Sequence, residues 1–297
     1  MARRRILGLS LYALLPFGGL LLPGDVEAAQ TAIVSLAGSG EVAFIDLATA
    51  QVSASVKLVD RASFPLHVAI TPDGSSMIVA CDTGYVSFIS SQGVVTKTLL
   101  DGPEQNGLTA ILNQFAEVAV TPDGAMALVT EGNELGQLFR FDVATRELVG
   151  PPWMIGDDPS RIVMSPDGLT AYVTDILADE PVVHVVNLSD GTYTTESLLV
   201  DPAVESIGDF ALVPPNGSRA IVTDPGGDRV LLMDTTTWQA LDQQDPAPNR
   251  LAEPDVLTVS PDGSLAIVAN SADQSVTFVT VSSGGLTIQE RVRLPKV

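Results

Sequence analysis

The stretch Val68-Ala-Ile-Thr-Pro-Asp-Gly74 decides the fold, together with the apolar run Met77-Ile-Val-Ala-Cys81 that follows it. Four further copies of this pattern lie along the chain and begin at Val118, Ile162, Ala211 and Leu257. Their prolines, at positions 72, 122, 166, 215 and 261, are 50, 44, 49 and 46 residues apart. A period of about 40 to 50 residues built from short β-strands is typical of propeller blades. The repeat therefore predicts an all-β fold.

Each copy carries turn chemistry between two strands. Proline presets the φ angle of a turn, aspartate accepts hydrogen bonds from the backbone that follows it, and glycine adopts positive φ. A third strand and a more polar fourth strand follow, as in residues 183–186 and 193–199. The third strand often ends in an acid that precedes a threonine, as at Asp46, Asp142 and Asp234. We expect these acids to be structural, because they can bond the turn backbone.

The strands are too short and too closely spaced to leave room for crossover helices. A single four-stranded sheet cannot bury both of its faces, so the sheets must stack on one another. A radial arrangement leaves only short, protected edges. The predicted fold is an all-β propeller of about six four-stranded blades. Five units begin with the inner strand, near residues 67, 117, 161, 209 and 255.

The first unit begins one strand late, near residue 32, so the first blade is predicted to be incomplete. Many propellers complete such a blade with a strand from the other end of the chain. Here residues 291–297 have the pattern of an outer strand of the sixth blade, and no Pro-Asp-Gly follows them. Three alternatives stay open: a three-stranded first blade, a different closure, or a truncated chain.

Residues 1–28 have the pattern of an export signal. Three arginines at positions 3–5 precede an apolar stretch over residues 6–22, and Val26-Glu27-Ala28 offers small residues at a cleavage site. The alternative is a retained anchor, but 17 residues interrupted by Pro and Gly are short for a span of about 20. Residues 29–297 then form the propeller domain, which contains no later membrane span. We expect a secreted or periplasmic, monomeric protein.

The charge and the scarcity of cysteine and histidine exclude several functions. The net charge is −21, from 15 Lys and Arg against 36 Asp and Glu, which excludes a nucleic-acid partner because such binding needs clustered basic residues. Cys81 is the only cysteine and there are two histidines, so an intrachain disulfide and a multi-histidine metal centre are excluded. The chain has no Gly-x-Ser-x-Gly elbow. No catalytic residue is predicted.

The units resemble the YVTN family of WD40-like β-propeller repeats. Tyr172-Val-Thr-Asp175 is the closest copy of the motif, and Ile221-Val-Thr-Asp224 and Ile267-Val-Ala-Asn270 are variants of it. The resemblance spans residues 31 to about 293. It implies an exported bacterial or archaeal propeller, usually of seven blades, found in surface-layer and periplasmic proteins. Proteins that resemble this family include lactonase-type hydrolases and the d1-haem domain of nitrite reductases.

The candidate site lies at one end of the predicted blades, where the second strand ends and the first strand begins. We call the two sets of residues the exit positions and the entry positions. The exit positions are Leu36, Cys81, Glu131, Asp175, Asp224 and Asn270. The entry positions are His67, Glu117 and Arg161, with Phe210 and Val256 in the later copies and Asp209 and Asp255 one residue earlier. Both sets vary in type from copy to copy, which predicts a ligand-binding rim around a central channel. The alternative is that channel-facing positions are polar in any propeller because they are wet.

The sequence favours a non-enzymatic module that binds an unknown protein or small molecule at the cell envelope and needs no cofactor. The first alternative is a calcium-dependent hydrolase of the propeller lactonase type. Its rim carboxylates would hold the ion, because calcium takes six to eight oxygen ligands, and orient a water. The second alternative is a structural surface protein with a passive rim.

Overall fold

A computed structural model of the chain describes residues 12–16, 30–46, 48–58, 64–81, 85–91, 93–99, 115–131, 136–175, 180–198, 204–244 and 251–294. Its regular structure is β throughout: 25 strands pair antiparallel in six sheets. The chain divides into two compact units, Met1–Met154 and Ile155–Val297, and each contains three of the sheets. These sheets have the strand number and order of propeller blades.

The first unit holds sheets 1 to 3. Sheet 1 contains β1 (Tyr12–Pro16), β2 (Gln30–Leu36), β3 (Glu41–Asp46) and β4 (Gln51–Lys57). Sheet 2 contains β5 (Pro65–Ile70), β6 (Ser76–Cys81), β7 (Tyr85–Ser90) and β8 (Val95–Leu99). Sheet 3 contains β9 (Phe115–Val120), β10 (Met126–Glu131), β11 (Gln137–Asp142), β12 (Glu147–Leu148) and β13 (Trp153–Met154). Strands β12 and β13 both pair with β11, so the outer strand of sheet 3 is interrupted.

The second unit holds sheets 4 to 6. Sheet 4 contains β14 (Pro159–Met164), β15 (Thr170–Asp175), β16 (Val182–Asn187) and β17 (Tyr193–Ser197). Sheet 5 contains β18 (Phe210–Leu212), β19 (Arg219–Asp224), β20 (Arg229–Asp234) and β21 (Ala240–Gln244). Sheet 6 contains β22 (Pro254–Val259), β23 (Leu265–Asn270), β24 (Ser275–Ser282) and β25 (Gly285–Arg293). Each sheet is a meander in which the strands lie in chain order.

The Pro-Asp-Gly turn joins the first two strands by a repeated set of hydrogen bonds. In sheet 2 the hydroxyl of Thr71 donates to Asp73 Oδ1 at 2.6 Å, and the N–H of Ser75 donates to the same oxygen at 3.0 Å. Gly74 has a φ of 70°, which a side chain would disfavour, and its N–H donates to the carbonyl of Thr71 at 2.8 Å. The same bonds recur at Thr121 and Asp123, at Ser165 and Asp167, and at Ser260 and Asp262. The predicted turn is confirmed in these copies.

The turn of sheet 5 is one residue longer. In sheet 5 the backbone N–H of Val213 donates to the carbonyl of Arg219. In sheet 2 the equivalent bond runs from the backbone N–H of Thr71 to the carbonyl of Ser76, which is one residue closer along the chain. A second proline, Pro214, occupies the additional place. When this copy is aligned with the others by Pro215, the strand that precedes the turn is therefore out of alignment by one residue.

The core of each unit lies between neighbouring sheets. Phe88 of sheet 2 meets Phe141 of sheet 3 edge to face, with ring centroids 5.9 Å apart. In the second unit, Tyr172 of sheet 4 packs on Phe210 and Trp238 of sheet 5, at 5.8 and 5.9 Å. Aromatic pairs in this range add to the stabilisation that comes from burial. Tyr172, the first residue of the run Tyr172-Val-Thr-Asp175, is thus a packing residue.

The first and last strands of the described chain, β1 and β25, show how sheets 1 and 6 are completed. Strand β25 forms the outer strand of sheet 6, as predicted for residues 291–297 in so far as these are described. The prediction of an incomplete first blade is wrong for the described chain, because β1 pairs with β2 and sheet 1 has four strands. Apart from β1, the predicted export signal over residues 1–28 lies outside the described residues. Cleavage after Ala28 would remove β1 and leave sheet 1 with three strands. The described residues contain no helix long and apolar enough to cross a membrane.

Candidate functional site

The entry and exit positions lie at the same end of the sheet in the sheets that have both. Pro65, two residues before His67, pairs with the exit residue Cys81. Pro159 pairs with Asp175 in the same way, and Pro254 pairs with Asn270. The entry and exit positions are therefore adjacent in sheets 2, 4 and 6. A rim around a channel stays a prediction.

A threonine next to the exit position holds the backbone of the entry position in three sheets. Thr130, Thr174 and Thr223 accept hydrogen bonds from the backbone N–H groups of Glu117, Arg161 and Asp209, at 3.1, 3.1 and 2.7 Å. The strand register shifts beside the entry position in sheets 3 and 4, so the ladder is interrupted there. The hydroxyl satisfies an N–H that would otherwise be costly to bury. This explains the threonine of the repeated Val-Thr-Asp pattern.

The structure corrects one alignment. Phe210 pairs with Val222, just as Ile162 pairs with Val173 and Val118 with Val129. Asp209, and not Phe210, therefore occupies the entry position of sheet 5. The displacement follows from the additional residue in the Pro214–Pro215 turn, which the spacing of the prolines had concealed.

The entry residues of neighbouring sheets contact one another. In the first unit, His67 Nδ1 lies 3.9 Å from Glu117 Oε1. In the second unit, Arg161 Nη2 lies 3.1 Å from Asp209 Oδ2. Each pair joins the inner strand of one sheet to the inner strand of the next. Their polar character thus has a structural use between sheets.

The carboxylate of Asp209 accepts three hydrogen bonds. Its Oδ2 accepts the Arg161 guanidinium and also the backbone N–H of Leu257 at 2.8 Å, and its Oδ1 accepts the N–H of Phe210 at 2.8 Å. Buried charges are tolerated when they are paired and hydrogen-bonded in this way. Asp209 therefore links sheets 4, 5 and 6 at their inner strands.

Asp255 differs from the other acids at this end. The residue is exposed to solvent, yet the protein around its carboxyl removes enough water to raise the pKa of that carboxyl. Positive Arg161 acts against the rise, and negative Glu253 adds to it. The backbone of Asp255 is held by Thr223, whose hydroxyl donates to the Asp255 carbonyl at 2.9 Å. Its carboxyl is an accessible group on a held backbone.

The exit residues of sheets 4, 5 and 6 hold the loops that lead into their own sheets. Asp175 accepts the N–H groups of Asp157 and Asp158, at 2.7 and 3.2 Å. Asp224 accepts those of Glu205 and Ser206 and also Nε of Arg229, and Asn270 accepts that of Ala252 at 3.4 Å. The donor backbone lies 17 to 19 residues upstream in every case. These side chains are buried and act as loop anchors.

The remaining exit residues vary in character. Glu131 and Cys81 are fully buried, whereas Leu36 is exposed. Among the described residues, no three or more His, Cys, Asp or Glu side chains are grouped so as to hold a metal ion. The carboxylates of Asp175, Asp209 and Asp224 are instead occupied by donors of the protein itself.

One polar constellation was not found from the sequence. The buried His184 of β16 lies with Nε2 3.3 Å from Asp175 Oδ2 and with Nδ1 3.0 Å from the hydroxyl of Thr195. The ring of Tyr193 meets the imidazole edge to face at 5.2 Å. The sequence does contain one indication of this contact. His184 and Thr195 are equally distant from the turn that joins β16 to β17, so they face each other across the two strands.

Comparison with known proteins identifies the fold and no family. Neither the models of known protein families nor the curated proteins include a match to this chain. Among solved structures, the chain is similar to hydrazine synthase of Kuenenia stuttgartiensis, with a TM-score of 0.71 and 17% identity, over 89% of this chain and 83% of that one. It is similar to a functionally unknown protein of Desulfotomaculum acetoxidans, with a TM-score of 0.69 and 18% identity, over 88% and 79% of the two chains. It is also similar to a chain of the mitotic checkpoint complex, with a TM-score of 0.68 and 14% identity, over 99% and 85%.

These structures have β-propeller-like folds, and the likeness extends to the WD40-like kind. At such identities the likeness concerns the fold alone, because unrelated functions share this fold. The predicted all-β propeller architecture is supported, with six sheets in the described part of the chain. Membership of the YVTN family stays a prediction.

Proposed function

We propose that the chain is an exported, non-enzymatic binding module of the YVTN type that acts at the cell envelope. The support is a propeller-like fold, which often serves binding, and the signal-like pattern of residues 1–28. The net charge of −21 makes nucleic acid an unsuitable partner. The module works as a monomer on a protein or small-molecule ligand.

One observation carries this proposal: a constant backbone bond presents a variable side chain. The threonine hydroxyl holds the N–H of the entry residue in sheets 3, 4 and 5, while that residue is Glu117, Arg161 or Asp209. The backbone at the entry position is thus held in the same way whichever side chain occupies it. Glu117 and Asp209 are buried between sheets, whereas Arg161 keeps partial access to solvent. A repeat that changes the side chain on a constant scaffold can therefore present such an accessible group for recognition.

The residues offered to a ligand are those at the entry end that keep access to solvent. In the first unit this residue is His67, which is partly exposed and offers an imidazole. In the second unit the residues are Arg161, which is partly exposed and offers a guanidinium, and Asp255, which is exposed and offers a carboxyl. Each of these groups can form hydrogen bonds. The loop anchors Asp175, Asp224 and Asn270 are buried and hold the loops at this end, so we do not expect them to touch the ligand.

The experiment compares two variants that each remove one negative charge. Asp255→Asn alters the entry end, and Asp190→Asn alters an exposed turn that follows the third strand of sheet 4. Each purified protein is immobilised and exposed to solubilised envelope proteins and metabolites of the source organism, and the retained molecules are quantified by mass spectrometry. We expect the wild type and Asp190→Asn to retain the same molecules and Asp255→Asn to lose them. Equal retention by all three would refute binding at the entry end and favour a passive surface protein.

The calcium-dependent hydrolase is the second candidate class, and no specific observation favours it. It requires Glu117 or Asp209 to act on an ion and a water. Hydrolysis of a panel of lactones that is abolished by EDTA and by Glu117→Gln would establish it in place of the binding module.

A further inference from the structure

We infer that Thr195 is an acyl-accepting hydroxyl, activated by His184 and positioned by Asp175. The three side chains form one continuous hydrogen-bonded line from the buried carboxylate of Asp175 to the hydroxyl of Thr195, a residue that is exposed to solvent. This activity goes beyond the proposed binding function and involves β15, β16 and β17 of sheet 4. The class of substrate is an activated carboxylic ester.

The tautomer of the neutral His184 ring follows from its hydrogen-bond partners. Asp175 accepts two backbone N–H groups, so it acts as a carboxylate and can only accept. The imidazole nitrogen that faces it, Nε2, must therefore carry the proton. In the neutral ring Nδ1 is then an acceptor, and the hydroxyl of Thr195 must donate to it. This is the polarity that a general base needs for a nucleophilic hydroxyl.

The register of the sheet brings the two groups together. The N–H of Asn187 bonds the carbonyl of Thr192, and that of Leu198 bonds the carbonyl of Pro181. Pairs alternate along an antiparallel ladder, so His184 and Thr195 form a pair without backbone hydrogen bonds, in which the side chains approach most closely. The same alternation directs the N–H of Thr195 away from β16, towards the open edge of the sheet. That N–H can donate to the oxygen of a bound carbonyl group.

The surroundings fix the base and leave the nucleophile accessible. A Cβ on Gly156 would overlap both Asp175 Oδ2 and His184 Nε2, so the loop before β14 closes directly over the bond between them. Tyr193 lies on the same face of β17 as Thr195, is 41% exposed and braces the imidazole. Its ring offers an apolar surface beside the hydroxyl for the acyl or aryl part of an ester.

The reaction needs only the ester and the side chains named. Thr195 Oγ1 attacks the acyl carbon while its proton passes to Nδ1 of His184, and the carbonyl electron pair moves onto oxygen. Return of that pair breaks the bond to the leaving group, which departs as an alkoxide or phenolate. The product is an ester on Thr195, and the imidazolium then gives its proton to solvent.

The test uses p-nitrophenyl acetate as the probe on the full chain. We expect a burst of p-nitrophenolate of about one equivalent per chain, with the acetyl group located on Thr195 by peptide mass spectrometry. Thr195→Val should remove the burst. The matched control is Thr194→Val, because the neighbouring Thr194 is also exposed and its hydroxyl donates to Glu196 at 2.9 Å instead of to a histidine. Thr194→Val should keep the full burst.

Three outcomes would overturn the inference. The first is the absence of acetyl from Thr195, and the second is equal acetylation of Thr194 and Thr195. The third is a nitrogen-15 spectrum in which the neutral His184 ring carries its proton on Nδ1, because Thr195 would then have no base. The spectrum is recorded on the unmodified protein and does not depend on any variant folding.

Discussion

The hydroxyl of Thr174 accepts the backbone N–H of Arg161 at 3.1 Å, across the point where the ladder between β14 and β15 loses its register. The threonine belongs to the motif that recurs along the chain, and the arginine belongs to the set that varies. The bond therefore connects the constant part of the repeat to the variable part. It explains how side chains of different charge can occupy the same place in successive sheets.

Removal of this acceptor should destabilise the protein. Thr174→Val preserves the shape of the side chain and leaves the N–H of Arg161 without its bond. We expect the free energy of unfolding to fall by about 1–3 kcal/mol, the usual cost of an unsatisfied buried donor. Urea denaturation measures it. Thr194→Val is the control, since that hydroxyl is exposed, and a loss of equal size in the two variants would contradict the assignment.

Arg161 and Asp209 should be energetically coupled. Arg161→Met removes the charge and keeps an unbranched apolar side chain, while Asp209→Asn removes the carboxylate that bonds sheets 4 and 6. Each single variant leaves the other charge without its partner, so the double variant should be more stable than the sum of the single losses predicts. We expect a coupling free energy of about 1–3 kcal/mol in a double-mutant cycle by urea denaturation. Additive losses would show that the pair does not link the sheets.

The turn aspartates predict a loss of stability in acid. Hydrogen bonds from the hydroxyl of Ser260 and the N–H and hydroxyl of Ser264 lower the pKa of Asp262 from 3.8 to about 2. Because the folded pKa lies below the unfolded one, the stabilisation is present above pH 3.8 and is lost as the pH falls towards 2. Asp262→Asn should keep the hydrogen bonds, as Asn216 does in sheet 5, and remove this titration.

The check is the melting temperature of wild type and Asp262→Asn measured between pH 5 and pH 2. The wild type should lose more of its melting temperature over this interval than the variant loses. Parallel curves would mean that Asp262 does not contribute to the acid sensitivity.

Gly156 should not tolerate a side chain. Its φ is +67°, and an added Cβ would overlap Asp175 and His184. Gly156→Ala should therefore lower the free energy of unfolding by at least about 1–2 kcal/mol, the cost of the backbone conformation alone. Gly38→Ala is the control, because no atom lies within 4 Å of a Cβ at that position. Thermal and urea unfolding of the two variants should differ clearly. If they unfold alike, the loop before β14 does not close on the buried pair.

The sequence predicted the elements of the fold well because each turn carries its own chemistry. Thr71, Asp73 and Gly74 bond one another within five residues, so their pattern survives in a linear sequence. The entry position of sheet 5 was misassigned because the longer turn at Pro214 keeps the spacing of the prolines and shifts the strand. Local spacing does not reveal such a shift.

The roles of the site residues could not be predicted in the same way. Asp175, Asp224 and Asn270 align as variable acids or amides, and their use depends on loop backbone 17 to 19 residues upstream that has no sequence pattern. The contact between His184 and Thr195 depends on the register of β16 and β17. Each of these relationships requires the three-dimensional pairing of segments that appear unrelated in the sequence.

The central claim is that the acids at this end of the sheets bond the protein itself or face a ligand, and do not hold a metal ion. The most direct measurement is the metal content of the protein purified without added metal, together with thermal melts in EDTA and in added calcium. We expect no stoichiometric ion and the same melting temperature in all conditions. A bound ion at about one per chain whose removal lowers the melting temperature would contradict the claim, because a ligand that binds the folded state stabilises it.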